Sequence, residues 1–191
     1  MASKEDIISL PHADLRKTSV RIHVITDETL QHIEDMTTAA LDWEDSRPHE
    51  VAVALAAVQI DRLERIVIVR ADFDDKENRD FTVLINPEII KKEGEPTYEH
   101  EGCLSVRDIY GNVPRYPRVR VKAIDASGNE VRIKAEGFIA RVLQHEIDHT
   151  NGLLFIDHID TDKKAFFTLT DGGDLEPLDY DIVKNRGIFR D

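Results

Sequence analysis

A helix that is apolar yet carries ionisable side chains is the strongest constraint in this sequence. Apolar residues recur at helical spacing through residues 137–151, and Gly152 follows as a typical helix end. His145 and His149 are four positions apart, which places them one turn apart on one face. Burying two imidazoles beside the carboxylate of Glu146 is costly unless a metal ion or hydrogen-bond partners satisfy them. The fold must therefore build a polar site within its core.

The pattern His-Glu-x-x-His at residues 145–149 is typical of hydrolytic metal centres. Two imidazole nitrogens on adjacent turns can converge on one ion. Glu146, at the neighbouring position, can reach a metal-activated water without being a ligand itself. The alternative interpretation is a structural polar cluster without a metal.

The third ligand has several candidates. Cys103 is the only cysteine, and thiolate is a favoured ligand, although a lone cysteine is often only core filler. Phe155 stands where one class of metalloproteases has a third histidine, and His158 lies beyond the helix-ending glycine. Asp148 could fill only the fourth position of a purely structural metal, and it points to another side of the helix. Cys103 is the better candidate, and one open position would then remain for a reaction.

Residues 51–60 form a nearly continuous apolar stretch, which predicts a buried strand. Small residues in it, Ala52 and Ala54 among them, allow another backbone to come close. Gln59 is its one polar side chain, and a buried amide must find partners. Gln59 is therefore either a functional group or a satisfied core residue.

The rest of the chain alternates predicted strands with a few helices. Spacing and caps predict a helix over 27–42, strands over 66–70 and 81–90, and a hairpin of 118–124 with 131–134 that turns at Gly128. Polar stretches at 44–50 and 72–80 predict exposed loops. No repeat or linker divides the chain, so 191 residues predict one domain, 1–191.

Composition excludes several classes of protein. The formal net charge of -13 with dispersed basic residues argues against direct nucleic-acid or membrane-surface binding. No apolar run is long enough to span a bilayer, and the start has no leader-like segment, so we expect a cytoplasmic protein without a membrane partner. A single cysteine is consistent with a reducing compartment.

Three segments in order, residues 52–59, 101–105 and 144–149, resemble the signature motifs of the peptide deformylases. Shorter segments at 15–17, 86–87, 113–115 and 151–155 extend the resemblance over roughly residues 10–160. With the predicted elements it implies an α+β fold, in which antiparallel or mixed sheets pack around a central buried helix that carries the His-Glu-x-x-His motif. It also implies a cytoplasmic hydrolase of protein biosynthesis.

The resemblance implies a site and a reaction. Cys103, His145 and His149 would bind one divalent metal ion, natively Fe²⁺, although a purified sample could hold Zn²⁺, Ni²⁺ or Co²⁺. Glu146 would move protons while the formyl group leaves an N-formylmethionyl nascent chain as formate. Gln59 and the backbone N–H of Leu104 would bind the oxyanion. The implied cleft residues are Val53, Ala54, Leu55, Phe138 and Val142, the last two as candidate walls of a methionine pocket.

The sequence also departs from the family pattern. Ala52 and Ala54 stand where glycines are usual, so either this backbone is ordinary strand or the cleft is remodelled. A weakened deformylase-like protein that binds metal and peptide termini without efficient turnover is the alternative function. A metalloprotease and a purely structural metal are further alternatives, supported only by the helix motif.

Charged and polar residues stand in two further regions, at 99–101, where the second motif begins, and at 171–191. Glu99 and His100 are polar where a pocket wall is expected to be apolar, and we expect His100 in a solvated loop. Glu101 is either a partner that orients a ligand or Arg115, or an exposed acid. Residues 171–191 have six acidic against three basic side chains, so they form an acidic tail rather than a basic ribosome-docking one. Only transient proximity to ribosomes is then implied.

Overall fold

The computed structural model describes residues 2–47, 50–73, 75, 77–170 and 172–190. Its described elements are two antiparallel sheets, three α-helices and several short 3₁₀ turns. The strands are β1 Ala54–Ala56, β2 Ile66–Arg70, β3 Phe81–Glu93, β4 Thr97–Cys103, β5 Val106–Arg115, β6 Arg118–Ile124, β7 Glu130–Glu136, β8 Phe166–Leu169 and β9 Leu175–Pro177. The helices are α1 Asp27–Asp45, α2 Gly137–Thr150 and α3 Tyr180–Asn185. The predicted α+β class with antiparallel sheets is confirmed.

The first sheet has the order β1-β2-β3-β6-β7 and the second the order β4-β5-β8-β9. In β6, buried valines alternate with exposed basic residues, so one face of the strand packs inward. The turn into β7 contains Gly128 at φ 87°, a left-handed conformation that glycine adopts without a Cβ clash. The predicted hairpin is therefore present, and its second strand is three residues longer than predicted, at Glu130–Glu136.

Helix α2 lies between the two sheets. Its apolar side chains, including Leu143 and Ile147, pack into a core cluster with β2, β3 and β6. On its other side Arg141 donates to the carbonyls of Thr97 in β4 and Val113 in β5, at 2.9 and 2.8 Å. The helix thus places its ionisable residues where the sheets meet.

Two predictions for local structure are wrong. The stretch 51–60 is not one strand, because only Ala54–Ala56 pairs with β2 and a 3₁₀ turn, Ala57–Ile60, follows. The polar stretch 44–50 is not entirely an exposed loop, because α1 continues to Asp45 and Glu44 is buried. Pro48 and His49 of that stretch, with Asp74 and Lys76 of the predicted loop 72–80, lie outside the described residues.

The C-terminal region, although acidic, packs against the body of the protein. Val183 of α3 and Ile188 enter a core cluster with Phe166 of β8. Arg16 donates to the Ile188 carbonyl at 2.6 Å and pairs with Asp157 at 2.6 Å. Asp171 and Asp191, two acids of the predicted tail, lie outside the described residues.

Among the described residues, no helix has the length and apolar character needed to cross a membrane.

Candidate functional site

The site is formed where α2 faces the end of β4. Cys103 is the last residue of β4, and its Sγ lies 3.3 Å from Nε2 of His149. The ligand atoms of Cys103, His145 and His149 all lie within 4.8 Å of one another. At the preceding Gly102, a Cβ would lie 2.6 Å from the ring of Tyr110, so a side chain there would displace that ring. The structure therefore brings together all three predicted metal ligands.

Glu101 fixes the orientation of His145. Its Oε2 accepts a hydrogen bond from Nδ1 of His145 at 3.0 Å, while Arg115 and Arg141 donate to the same carboxylate at 2.7–3.1 Å. Burial alone would raise the pKa of Glu101, but the hydrogen bonds and charges of His145 and Arg115 lower it below its usual range. An ionised Glu101 requires a proton on Nδ1 of His145, so Nε2 is the nitrogen that can hold an ion once it has lost its own proton.

The two rejected ligand candidates are engaged with each other. Asp148 pairs with Arg115, and its Oδ2 lies 2.7 Å from Nε2 of His158. Burial raises the pKa of Asp148, but His158 and Arg115 outweigh burial and lower it. Neither residue belongs to the cluster with Cys103, so the structure agrees with setting aside His158 as third ligand and Asp148 as a fourth.

Two buried polar atoms at the site have no hydrogen-bond partner among the described residues. They are Oε2 of Glu146 and Nδ1 of His149. Burial raises the pKa of Glu146 to about 7, and burial followed by the charge of His145 lowers that of His149 well below its usual value. A neutral imidazole, a second one oriented by a carboxylate, and a thiol are the donor set that a divalent cation prefers. The residues present therefore fit a metal ion.

Gln59 lies next to this cluster. Its Nε2 donates to Oγ of Ser105 at 3.1 Å and lies 3.7 Å from Sγ of Cys103, and its Oε1 accepts from the N–H of Ala56 at 2.9 Å. The short 3₁₀ turn that replaces the end of the predicted strand directs this amide toward the site. Leu104, the other predicted oxyanion donor, borders the same cavity.

A cavity of about 560 Å³ extends from the cluster. Gln59, Cys103, His145 and Glu146 line one end, and the segment 50–54, here called the cleft segment, lines one side. Two other predicted cleft residues, Phe138 and Val142, also line the cavity, with Phe138 47% exposed. Leu55 does not line it, because its side chain is fully buried in a core cluster behind the cleft segment.

The alanines that replace the usual glycines sit in ordinary backbone. Neither Ala52 nor Ala54 has positive φ. The methyl group of Ala52 is 2% exposed and belongs to the core cluster that contains Leu55. Ala54 therefore lies in ordinary strand, as the first of the two predicted explanations has it, whereas Ala52 precedes the strand without needing a conformation that favours glycine.

Sequence reasoning placed His100 in a solvated loop, which is wrong. His100 is exposed but lies in β4, paired with Asn112 of β5, with its ring 4.5 Å from that of Phe167. Arg141 and Ser105 were missed. A signal for Arg141 was available, since a cation four positions before His145 on an apolar helix requires a partner.

Comparison with known proteins agrees with this geometry. A family model described as polypeptide deformylase matches residues 4–165. The peptide deformylase of Brachyspira hyodysenteriae is 47% identical over 152 residues, which cover 78% of this chain and 78% of that protein. The solved peptide deformylase of Legionella pneumophila is 36% identical with a TM-score of 0.71 and covers 83% of this chain and 86% of its own. A Met-Ala-Ser-bound peptide deformylase from Acinetobacter baumannii is 29% identical with a TM-score of 0.69, covering 80% and 96%.

Proposed function

The chain belongs to the polypeptide deformylase family, hydrolases that remove the N-formyl group from nascent polypeptides, and from that premise we propose how its own residues perform the reaction. The observation that carries the proposal is the convergence of Cys103, His145 and His149 beside a buried Glu146. These three side chains would hold one divalent ion. Such an ion supplies Lewis acidity and lowers the pKa of a water molecule.

Glu146 moves the proton in this proposal. Its carboxylate takes a proton from the attacking water and later delivers it to the departing amine, which frees the amino terminus and formate. Because Oε2 of Glu146 has no partner among the described residues, it can bond to water or substrate without breaking an existing contact. Its position next to His145 in the helix keeps it at the reacting carbon without making it a ligand.

When the formyl carbon is attacked, the negative charge that forms on its oxygen needs hydrogen-bond donors. Gln59 Nε2 and the backbone N–H of Leu104 are the proposed donors, and Ser105 and Ala56 hold the Gln59 amide from either end. An amide that is fixed before the reaction stabilises the developing charge without reorganisation.

The peptide would bind as an added strand. β1 and β4 are edge strands of the two sheets, and residues from both line the cavity. An extended chain between them can form main-chain hydrogen bonds, which tolerate many sequences. A relative has been solved with Met-Ala-Ser bound, which supports a short peptide as the ligand. Val53 and Ala54 would border the backbone of the peptide, and Phe138 and Val142 its methionine side chain.

The native ion is proposed to be Fe²⁺, with Zn²⁺, Ni²⁺ or Co²⁺ as substitutes, because a Cys-His-His set accepts all four. We further propose a single deformylase-like domain that works in the cytoplasm, close to ribosomes but without stable or nucleic-acid-mediated docking. The dispersed basic residues and the net charge of -13 support this. A weakened, non-catalytic relative is not favoured, since Ala52 and Ala54 leave the backbone ordinary.

The test is formate release from formyl-Met-Ala-Ser by protein purified without oxygen, with the bound metal measured in the same sample. We expect turnover with iron bound and none above background in Glu146→Ala. Absence of turnover with iron, nickel and cobalt would refute the proposal. If iron is native, exposure to air removes activity as metal and thiolate oxidise.

A further inference from the structure

A buried ion pair lies behind the cleft segment. Glu44 is in the last turn of α1 and Arg70 is the last residue of β2, and they are only 3% and 2% exposed. Their contact is bidentate, with Nη1 to Oε2 at 3.0 Å and Nη2 to Oε1 at 3.2 Å. The ring of Phe81 lies 5.4 Å from the guanidinium carbon. Charged side chains are almost never buried this deeply unless they are paired, and removing both from water is costly.

Glu44 is bonded to the backbone of the cleft segment through its side chain, and Arg70 is bonded to it through its own backbone. Oε2 of Glu44 accepts the N–H of Ala52 at 2.9 Å, and the backbone N–H of Arg70 donates to the Val53 carbonyl at 2.7 Å. Within the described residues, no other backbone hydrogen bond is made by positions 51–53. The rest of that backbone is therefore free to pair with an added strand.

We propose that Glu44 and Arg70 are positioning residues for the peptide that follows the formylmethionine. They hold the cleft segment so that its remaining backbone groups meet the substrate backbone, a role that rests on the proposed function. The candidate metal ligands stand on α2 and β4, whereas the pair stands on α1 and β2. The pair therefore acts on binding of the downstream residues and leaves the chemistry at the formyl group intact.

The test compares two substrates in the neutral double variant Glu44→Met/Arg70→Met, which removes both charges together with the acceptor of the Ala52 N–H and so avoids a lone buried ion. KM for formyl-Met-Ala-Ser should rise about tenfold, the cost of roughly one lost hydrogen bond, with kcat unchanged. Formylmethionine, which has no downstream residues, should be turned over as in the wild type. Calorimetry should show Met-Ala-Ser binding weakened to the same degree.

A control and a milder variant complete the design. Arg79→Met breaks the neighbouring exposed pair with Asp45, bonded at 2.9 Å, and should leave both substrates unaffected. Arg70→Lys keeps the charge but loses the bidentate contact, so it should shift KM for the tripeptide in the same direction by less. If the double variant does not fold, Arg70→Lys alone tests the proposal.

The outcomes separate the two proposals. Equal decreases in kcat/KM for both substrates would show that Glu44 and Arg70 have only a structural role. An unchanged KM for the tripeptide would overturn the inference. A wild-type protein that releases no formate would instead refute the proposed function, and the positioning role with it.

Discussion

The two sides of the cavity are held in place in opposite ways. On the catalytic side Glu101 alone receives bonds from Arg115, Arg141 and His145, and Asp148 extends the network to His158. On the proposed binding side, the cleft segment is bonded to the side-chain carboxylate of Glu44 and to the main-chain N–H of Arg70, and these two residues also form one ion pair. A reaction needs side chains in fixed positions. Binding of varied sequences needs only a backbone segment placed so that its N–H and C=O groups can pair with the peptide.

The largest expected effect is on the catalytic side. Glu146→Ala removes the group that moves the proton, so kcat should fall by roughly 10²- to 10⁴-fold. Steady-state kinetics with formyl-Met-Ala-Ser measure this, and metal analysis should show unchanged occupancy because Glu146 is not a proposed ligand. A similar kcat in the variant would remove Glu146 from the mechanism.

The network behind His145 should have a smaller effect, seen in metal binding. Glu101→Gln weakens the bond that orients the imidazole, and metal affinity should drop about 10- to 100-fold. Competition with a chromophoric chelator gives the affinity directly. Glu130→Gln, an exposed acid of β7, is the control, and equal affinities in the two variants would show that the network does not support the ligands.

A third test is the pKa of Glu146, which metal loading should shift by about one unit, a tenfold change in proton affinity. In the metal-free protein burial raises this pKa to about 7, so the carboxyl group is mostly protonated below that pH. A nearby divalent cation favours the carboxylate, so loading with Zn²⁺ should lower the pKa and keep the base form available at lower pH. Carboxyl ¹³C NMR titration of the two forms measures the shift, and a higher pKa after loading would contradict the proposed site.

The smallest effect is expected at the cavity rim. Phe138 is half exposed and contacts Phe73 edge-on, with ring centroids 5.0 Å apart. Phe138→Ala should therefore lower the free energy of unfolding by only about 1 kcal/mol, while raising KM for the tripeptide. Urea unfolding with parallel kinetics checks both. Loss of stability without a change in KM would make Phe138 a packing residue.

Much of the catalytic side was predictable because its signals are local. Residues 145–149 form one helical turn, and the sequence around Cys103 is short and contiguous. The fold class and the family followed from the same segments and are confirmed. The part played by each of these residues stays a prediction until the variants are measured.

The binding side was less predictable because it depends on distant pairs. Glu44 appears in sequence as one acid in a polar stretch, and only the fold reveals Arg70, 26 positions later, as its partner. The strand predicted over 51–60 failed for a related reason. An apolar run reports burial, but hydrogen bonds from Glu44 and β2 decide where pairing begins.

The shortness of β1 has a consequence for solubility. An exposed strand edge is a template for aggregation, and proteins often protect themselves by keeping such edges short. β1 has only three residues, and of these only Ala54 borders the cavity while Leu55 and Ala56 are fully buried, so little of its edge is open to a passing chain. The same length that limits how much sequence the enzyme reads would also keep its open edge from recruiting strands of other proteins.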